Sequence, residues 1–133
     1  MPKYEQIALR FFNARNLPLV SYNKAAPGLR YRPDFVFRRA DRLVIVECDE
    51  EQHAAYCPKK ERIREARILA AYHRTTGIPP KLIRYDPQPE GERACVRASM
   101  VADIVDRELL GVGHTPTALK ICQFVGENKI VCY

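Results

Sequence analysis

Tyr4, Ile7, Ala8, Phe11 and Phe12 recur at the spacing of one helical face, which predicts an amphipathic helix over about residues 2–15, with Glu5 on the flank of that face. The pattern then changes to short runs of β-branched and aromatic residues. Leu17 to Asn23 reads as a short strand, Ala26-Pro27-Gly28 as a turn, and Leu29 to Arg38 as a second strand in which Pro33 removes a ladder donor. The polar turn Arg39-Ala40-Asp41 leads into Arg42 to Asp49, whose Leu-Val-Ile-Val core is the strongest β signal of the chain and predicts a buried central strand. From Pro58 the period is helical again, with Ile63, Ala66, Leu69, Ala70 and His73 on one face and Gly77 as the stop. A strand over Pro80 to Asp86 follows. A helix over Cys95 to Leu110 has Val96, Met100, Ile104, Val105 and Leu109 as its stripe, with Gly111 as its cap. A terminal hairpin, Ala118 to Val125 and Lys129 to Tyr133, turns at Gly126-Glu127-Asn128.

This order of elements predicts an α/β fold. At 133 residues and 47% apolar content the chain reads as one domain, with a core over 1–87, a linker-like stretch from Pro87 to Arg93 and an extension over 94–133. No run approaches the roughly 20 apolar residues that span a bilayer, and Met1-Pro2-Lys3-Tyr4-Glu5 leads directly into the amphipathic pattern. An intracellular, soluble protein with no membrane partner is expected. The five cysteines form no Cys-x-x-Cys pair, which points to reduced thiols rather than a disulfide framework.

Charge adds a partner class. The formal charge is +6, and 12 of the 22 Lys and Arg residues lie between Lys24 and Arg74, the stretch that also holds acidic strand ends. Basic residues around an acidic centre suit a phosphate backbone brought to a metal ion. The candidates for phosphate contact are Arg30, Arg32, Arg38 and Arg39, with Lys59, Lys60, Arg62, Arg64 and Arg67 at the start and on the face of the helix after Pro58.

The acids supply the chemistry. Side chains alternate along a strand, so Glu47 and Asp49 share one face while Cys48 points away. Asp34 lies on the face of Val36, and antiparallel pairing brings it to the Glu47 region, so three oxygen donors converge on a site that suits Mg²⁺. Glu47 interrupts an apolar run, where an unpaired charge is costly, and so needs a metal or a cationic partner. Glu50 and Glu51 read as a solvated strand end. His53, a short loop beyond the strand, is placed to pass a proton. His73 reads as structural, and His114 carries no separable signal.

These residues resemble the PD-(D/E)XK nuclease superfamily, and within it the very-short-patch-repair-like endonucleases. Arg32-Pro33-Asp34-Phe35-Val36 is similar to the motif that supplies the metal-binding aspartate, and Val44-Ile45-Val46-Glu47 to the second acidic strand. The resemblance implies a restriction-endonuclease-like αβββαβ core followed here by a helix and a β-hairpin. It also implies catalytic roles for Glu5, Asp34, Glu47, Asp49 and His53, metal ligation by Asp34, Glu47 and Asp49, and a Mg²⁺ or Mn²⁺ cofactor. Glu61 and Glu65 are the candidates for a further helix acid of that family. Two departures stand out: Asp49 replaces the usual lysine, and Glu50 and Ala55 stand near positions where zinc ligands are typical, so no structural zinc is expected. The expected function is a metal-dependent DNA endonuclease or nickase. The alternative is an inactive nucleic-acid-binding module of the same fold.

Overall fold

The computed structural model describes residues 2–49, 57–87, 93–112, 120–126 and 129–132. Its elements are α1 (Lys3–Ala14), β1 (Leu19–Tyr22), β2 (Phe35–Arg39), β3 (Arg42–Cys48), α2 (Pro58–Thr76), β4 (Lys81–Tyr85), α3 (Ala94–Leu110), β5 (Lys120–Gly126) and β6 (Lys129–Cys132). The six strands form one sheet in chain order, antiparallel throughout except for β3 and β4, which run parallel across the α2 crossover. That single parallel step follows from β3 and β4 being joined by a helix rather than a hairpin.

β3 and β4 are buried on both faces, which is why they read as nearly continuous apolar runs. On one face Phe35, Phe37, Val44, Val46, Ile83, Tyr85 and Ile121 pack under α1 and α3, with Phe12 edge-on to both Phe35 and Phe37 at 5.0 Å. On the other face Val36, Leu43, Ile45 and Leu82 meet Ile68 and Leu69 of α2. The molecule is thus an α/β three-layer sandwich. Helices α2 and α3 end at Gly77 and Gly111, both left-handed at φ +73°, a conformation open to glycine at no steric cost. The described elements after residue 94 belong to this body, because α3 packs beside α1 and β5 extends the sheet from β4. No helix among the described residues is long and apolar enough to cross a membrane.

Three expectations need correction. The second strand begins at Phe35 rather than Leu29, because the backbone before it bonds locally: the Ala26 amide donates to the Tyr31 carbonyl at 2.8 Å and the Leu29 amide to the Ala26 carbonyl at 3.0 Å. Pro33 therefore precedes the ladder instead of interrupting it. The expected α2 stripe holds at Ala66 and Leu69, but Ile63 is 44% exposed, and Glu65, Ile68 and Ala71 are fully buried beside the expected positions. The face begins with charged residues, which a search for apolar period passes over. In α3 the expected Ile104, Val105 and Leu109 are buried, but Val96 at the start of the stripe is exposed, whereas Arg97 is buried and donates through Nε to the Asp86 carbonyl at 3.2 Å.

Candidate functional site

Phe35 pairs with Val46, so the β2–β3 ladder continued by one position sets Asp34 beside Glu47. The backbone pins Asp34 there. Its carbonyl accepts from the Asn23 amide at 2.9 Å, and its Oδ2 accepts from the Cys48 amide at 2.7 Å. Across the parallel step Glu47 is the register partner of Arg84, and the Asp49 amide continues the ladder to the Tyr85 carbonyl at 3.0 Å. Alternation then puts Asp34, Glu47, Arg84 and Asp49 on the face covered by α2. That face of α2 presents Glu61, Arg64 and Glu65, one turn apart along its first half.

Two guanidinium groups organise these five carboxylates. Arg64 Nη1 donates to Glu47 Oε1 at 2.9 Å and to Glu61 Oε1 at 3.2 Å, and its guanidinium lies over the Tyr31 ring at 5.6 Å. Arg84 forms a close ion pair with Glu61, and lies 3.5 Å from both Asp49 Oδ1 and Glu65 Oε1. The two arginines differ in access: the Arg84 side chain is 7% exposed and that of Arg64 is 23% exposed.

Burial dominates the electrostatics. Glu47 is pushed up to about 7, first by loss of water and then by the charge of Asp34, against the opposing pull of Arg64 and Arg84. Asp34 is therefore close enough to Glu47 to act on it. Glu61 is raised as well, by burial and by Glu65 and Asp49, against Arg64. Burial works against the charge of Arg64, yet Glu47, Glu61 and Asp34 together hold it above its ordinary value. Tyr85, on the other face of the sheet, is raised by burial and by the adjoining Cys48 thiol.

The sequence-derived candidates separate by position. Asp34 and Glu47 come together, whereas Asp49 is turned to Arg84. Glu5 is buried beneath α1 on the opposite face, where its Oε1 accepts from the Tyr22 hydroxyl at 2.9 Å. His53 lies outside the described residues, as do His114, Glu50 and Glu51. Arg30, Arg32, Lys59, Lys60, Arg62 and Arg67 are exposed, with Arg32 two residues before Asp34 and the lysines immediately before Glu61. Arg64 differs from these in being held by Glu47 and Glu61. Arg38 is exposed near the far end of β2, about 13 Å of strand from Asp34, so it does not flank the acids.

Sequence reasoning missed Arg84. Its signal was the same as that of Glu47: a charge inside the apolar run Leu82-Ile83-Arg84-Tyr85, on the strand that becomes its parallel neighbour.

No group of three or more His, Cys, Asp or Glu side chains suited to enclosing a metal ion gathers among the described residues. Asp34 and Glu47 are a two-carboxylate set, and this fits Mg²⁺, which takes one or two carboxylates and leaves its other positions to water and phosphate. Set against protein-family models, curated proteins and solved structures, the chain matches none of them.

Proposed function

We propose that this protein is a Mg²⁺-dependent DNA endonuclease or nickase of the PD-(D/E)XK type, hydrolysing a phosphodiester at the Asp34–Glu47 end of the sheet. The observation that carries the reading is the pairing of these two carboxylates on adjacent strands, under a charged helix face and beside exposed Arg32, Lys59 and Lys60. Asp34 and Glu47 would hold the cation, which would supply Lewis acidity and neutralise charge on the phosphate. The basic rim binds the flanking backbone. In the reaction a water oxygen bonds to phosphorus in line with the leaving oxygen, the phosphorus–oxygen bond to the leaving strand breaks, and that oxygen takes a proton from solvent. His53 accepts the proton of the attacking water. Glu5 accepts a hydrogen bond from Tyr22, which fastens α1 to β1.

The test is cleavage of single-stranded, duplex, mismatched and branched DNA by purified protein with Mg²⁺ or Mn²⁺. Asp34→Asn keeps an acceptor for the Cys48 amide but lacks the charge, and it is expected to cut at least on the order of 10²-fold more slowly with little change in stability. No cleavage by the unaltered protein, or equal cleavage by Asp34→Asn, contradicts the reading.

One observation favours a second reading, the inactive nucleic-acid-binding module: Arg64 and Arg84 already partner Glu47, Asp49, Glu61 and Glu65. It predicts salt-sensitive DNA binding with no heat of divalent-cation binding in calorimetry.

A further inference from the structure

We propose that Arg64 is a resident counter-cation that leaves Glu47 when a divalent ion binds, and then grips the phosphate being cut. The inference rests on the metal-dependent reading above and adds a second, substrate-facing role to a residue that the structure shows bound to an acid.

Four features carry it. Arg64 Nη1 occupies Glu47 Oε1 at 2.9 Å, so a cation arriving at Glu47 meets a positive charge already in place. Like charges a few ångströms apart in a poorly solvated pocket repel strongly enough that both do not remain on one carboxylate. Arg64 is also the arginine with somewhere to go: its guanidinium is partly exposed and rests on Tyr31, whereas Arg84 is buried among three acids. Lastly, Glu61 is shared by both arginines, so it keeps Arg84 when Arg64 departs. The rest of the network therefore survives the exchange.

A freed guanidinium beside a cation-bound phosphate is well matched to it. Its planar fork donates two parallel hydrogen bonds to phosphate oxygens, a geometry that a lysine ammonium does not reproduce. Arg64 would thus prevent Glu47 from standing as an uncompensated buried charge in the resting protein and bind charge on the substrate in the loaded one.

Three measurements test this. In NMR of the full chain, the Arg64 Nε–H resonance, assigned by its loss in Arg64→Lys, is expected to shift on titration with Mg²⁺ while that of Arg84 stays in place. Calorimetry with Mn²⁺ alone is expected to show Arg64→Gln binding about 5- to 10-fold more tightly than the unaltered protein, because a competing charge is gone. At saturating Mn²⁺, Arg64→Lys is expected to cut on the order of 10²-fold more slowly, as for loss of an oriented donor. Failure of the unaltered protein to bind Mn²⁺ overturns the underlying reading. Binding of Mn²⁺ with an unmoved Arg64 resonance, or equal or weaker binding by Arg64→Gln, overturns the exchange and leaves Arg64 as a structural clamp. If Arg64→Gln does not fold, the resonance of the unaltered protein decides alone.

Discussion

Glu47 carries a conflict between burial and charge that sets its behaviour with pH. Its folded value near 7 lies above the unfolded value of 4.5 because the carboxyl is desolvated and faces Asp34, while Arg64 and Arg84 offset only part of that cost. The folded protein therefore holds this proton more tightly than the unfolded chain. The resulting stabilisation is full below about pH 4.5 and is lost as pH rises through about 7, a change on the order of 3 kcal/mol. Denaturant titrations in EDTA at pH 5 and pH 8 are expected to show lower stability at pH 8, and Glu47→Gln is expected to flatten that difference, leaving the smaller part that comes from Glu61. An unchanged pH dependence in Glu47→Gln would show that Glu47 does not carry this burden. This residue was legible in the sequence because a charge inside Leu-Val-Ile-Val-Glu has to be compensated. Its partner was not, because Arg64 follows it by 17 positions and only the crossover brings the two together.

At the scale of elements, α2 is joined to the sheet in two different ways. Its later half uses Ile68 and Leu69 against Ile45 and Leu82. Its first half uses Glu61, Arg64 and Glu65 against Glu47, Asp49 and Arg84, the last being the hub. Breaking a buried charge cluster by removing one sign costs about 3–5 kcal/mol, whereas replacing both signs with apolar groups is often nearly neutral. Arg84→Met is therefore expected to lower the melting temperature on the order of 10 °C. The double variant Arg84→Met/Glu65→Leu should recover part of that loss, and a double variant that sums the two single losses would exclude coupling between these residues.

The same duality explains which elements the sequence revealed. Apolar alternation marked β3, and capping glycines marked the ends of α2 and α3. The inward faces of α2 and α3 were legible at Ala66, Leu69, Ile104, Val105 and Leu109 but not at their first turns, because Glu65 and Arg97 are buried polar groups that an apolar pattern does not mark. The early start assigned to β2 failed for another reason: Leu29 to Asp34 has strand-like composition, but its neighbours bond within the loop around Gly28.

The whole molecule arranges its layers so that one end of the sheet gathers acids and arginines. Asp34 opens β2, while Glu47 and Asp49 close β3 and Arg84 stands near the end of β4, with the first turns of α2 above them. At the other end Lys81 and Glu108 form a 2.7 Å ion pair between β4 and the last turn of α3, which fastens a helix to the sheet away from the acids. In a parallel βαβ unit the carboxyl ends of the strands are the usual place for a ligand, and here those ends carry the acids. The chain order alone suggested this convergence, since the acids sit at strand termini. What it did not contain was the counter-charge: two arginines from separate elements that hold the acids together.

The most direct test of the central claim is a crystal soaked in Mn²⁺, read by anomalous scattering. The account predicts a peak about 2.0–2.3 Å from carboxylate oxygens of both Asp34 and Glu47, with the Arg64 guanidinium displaced from Glu47. A crystal with no peak between these two residues, and Arg64 still bound to Glu47, would contradict it.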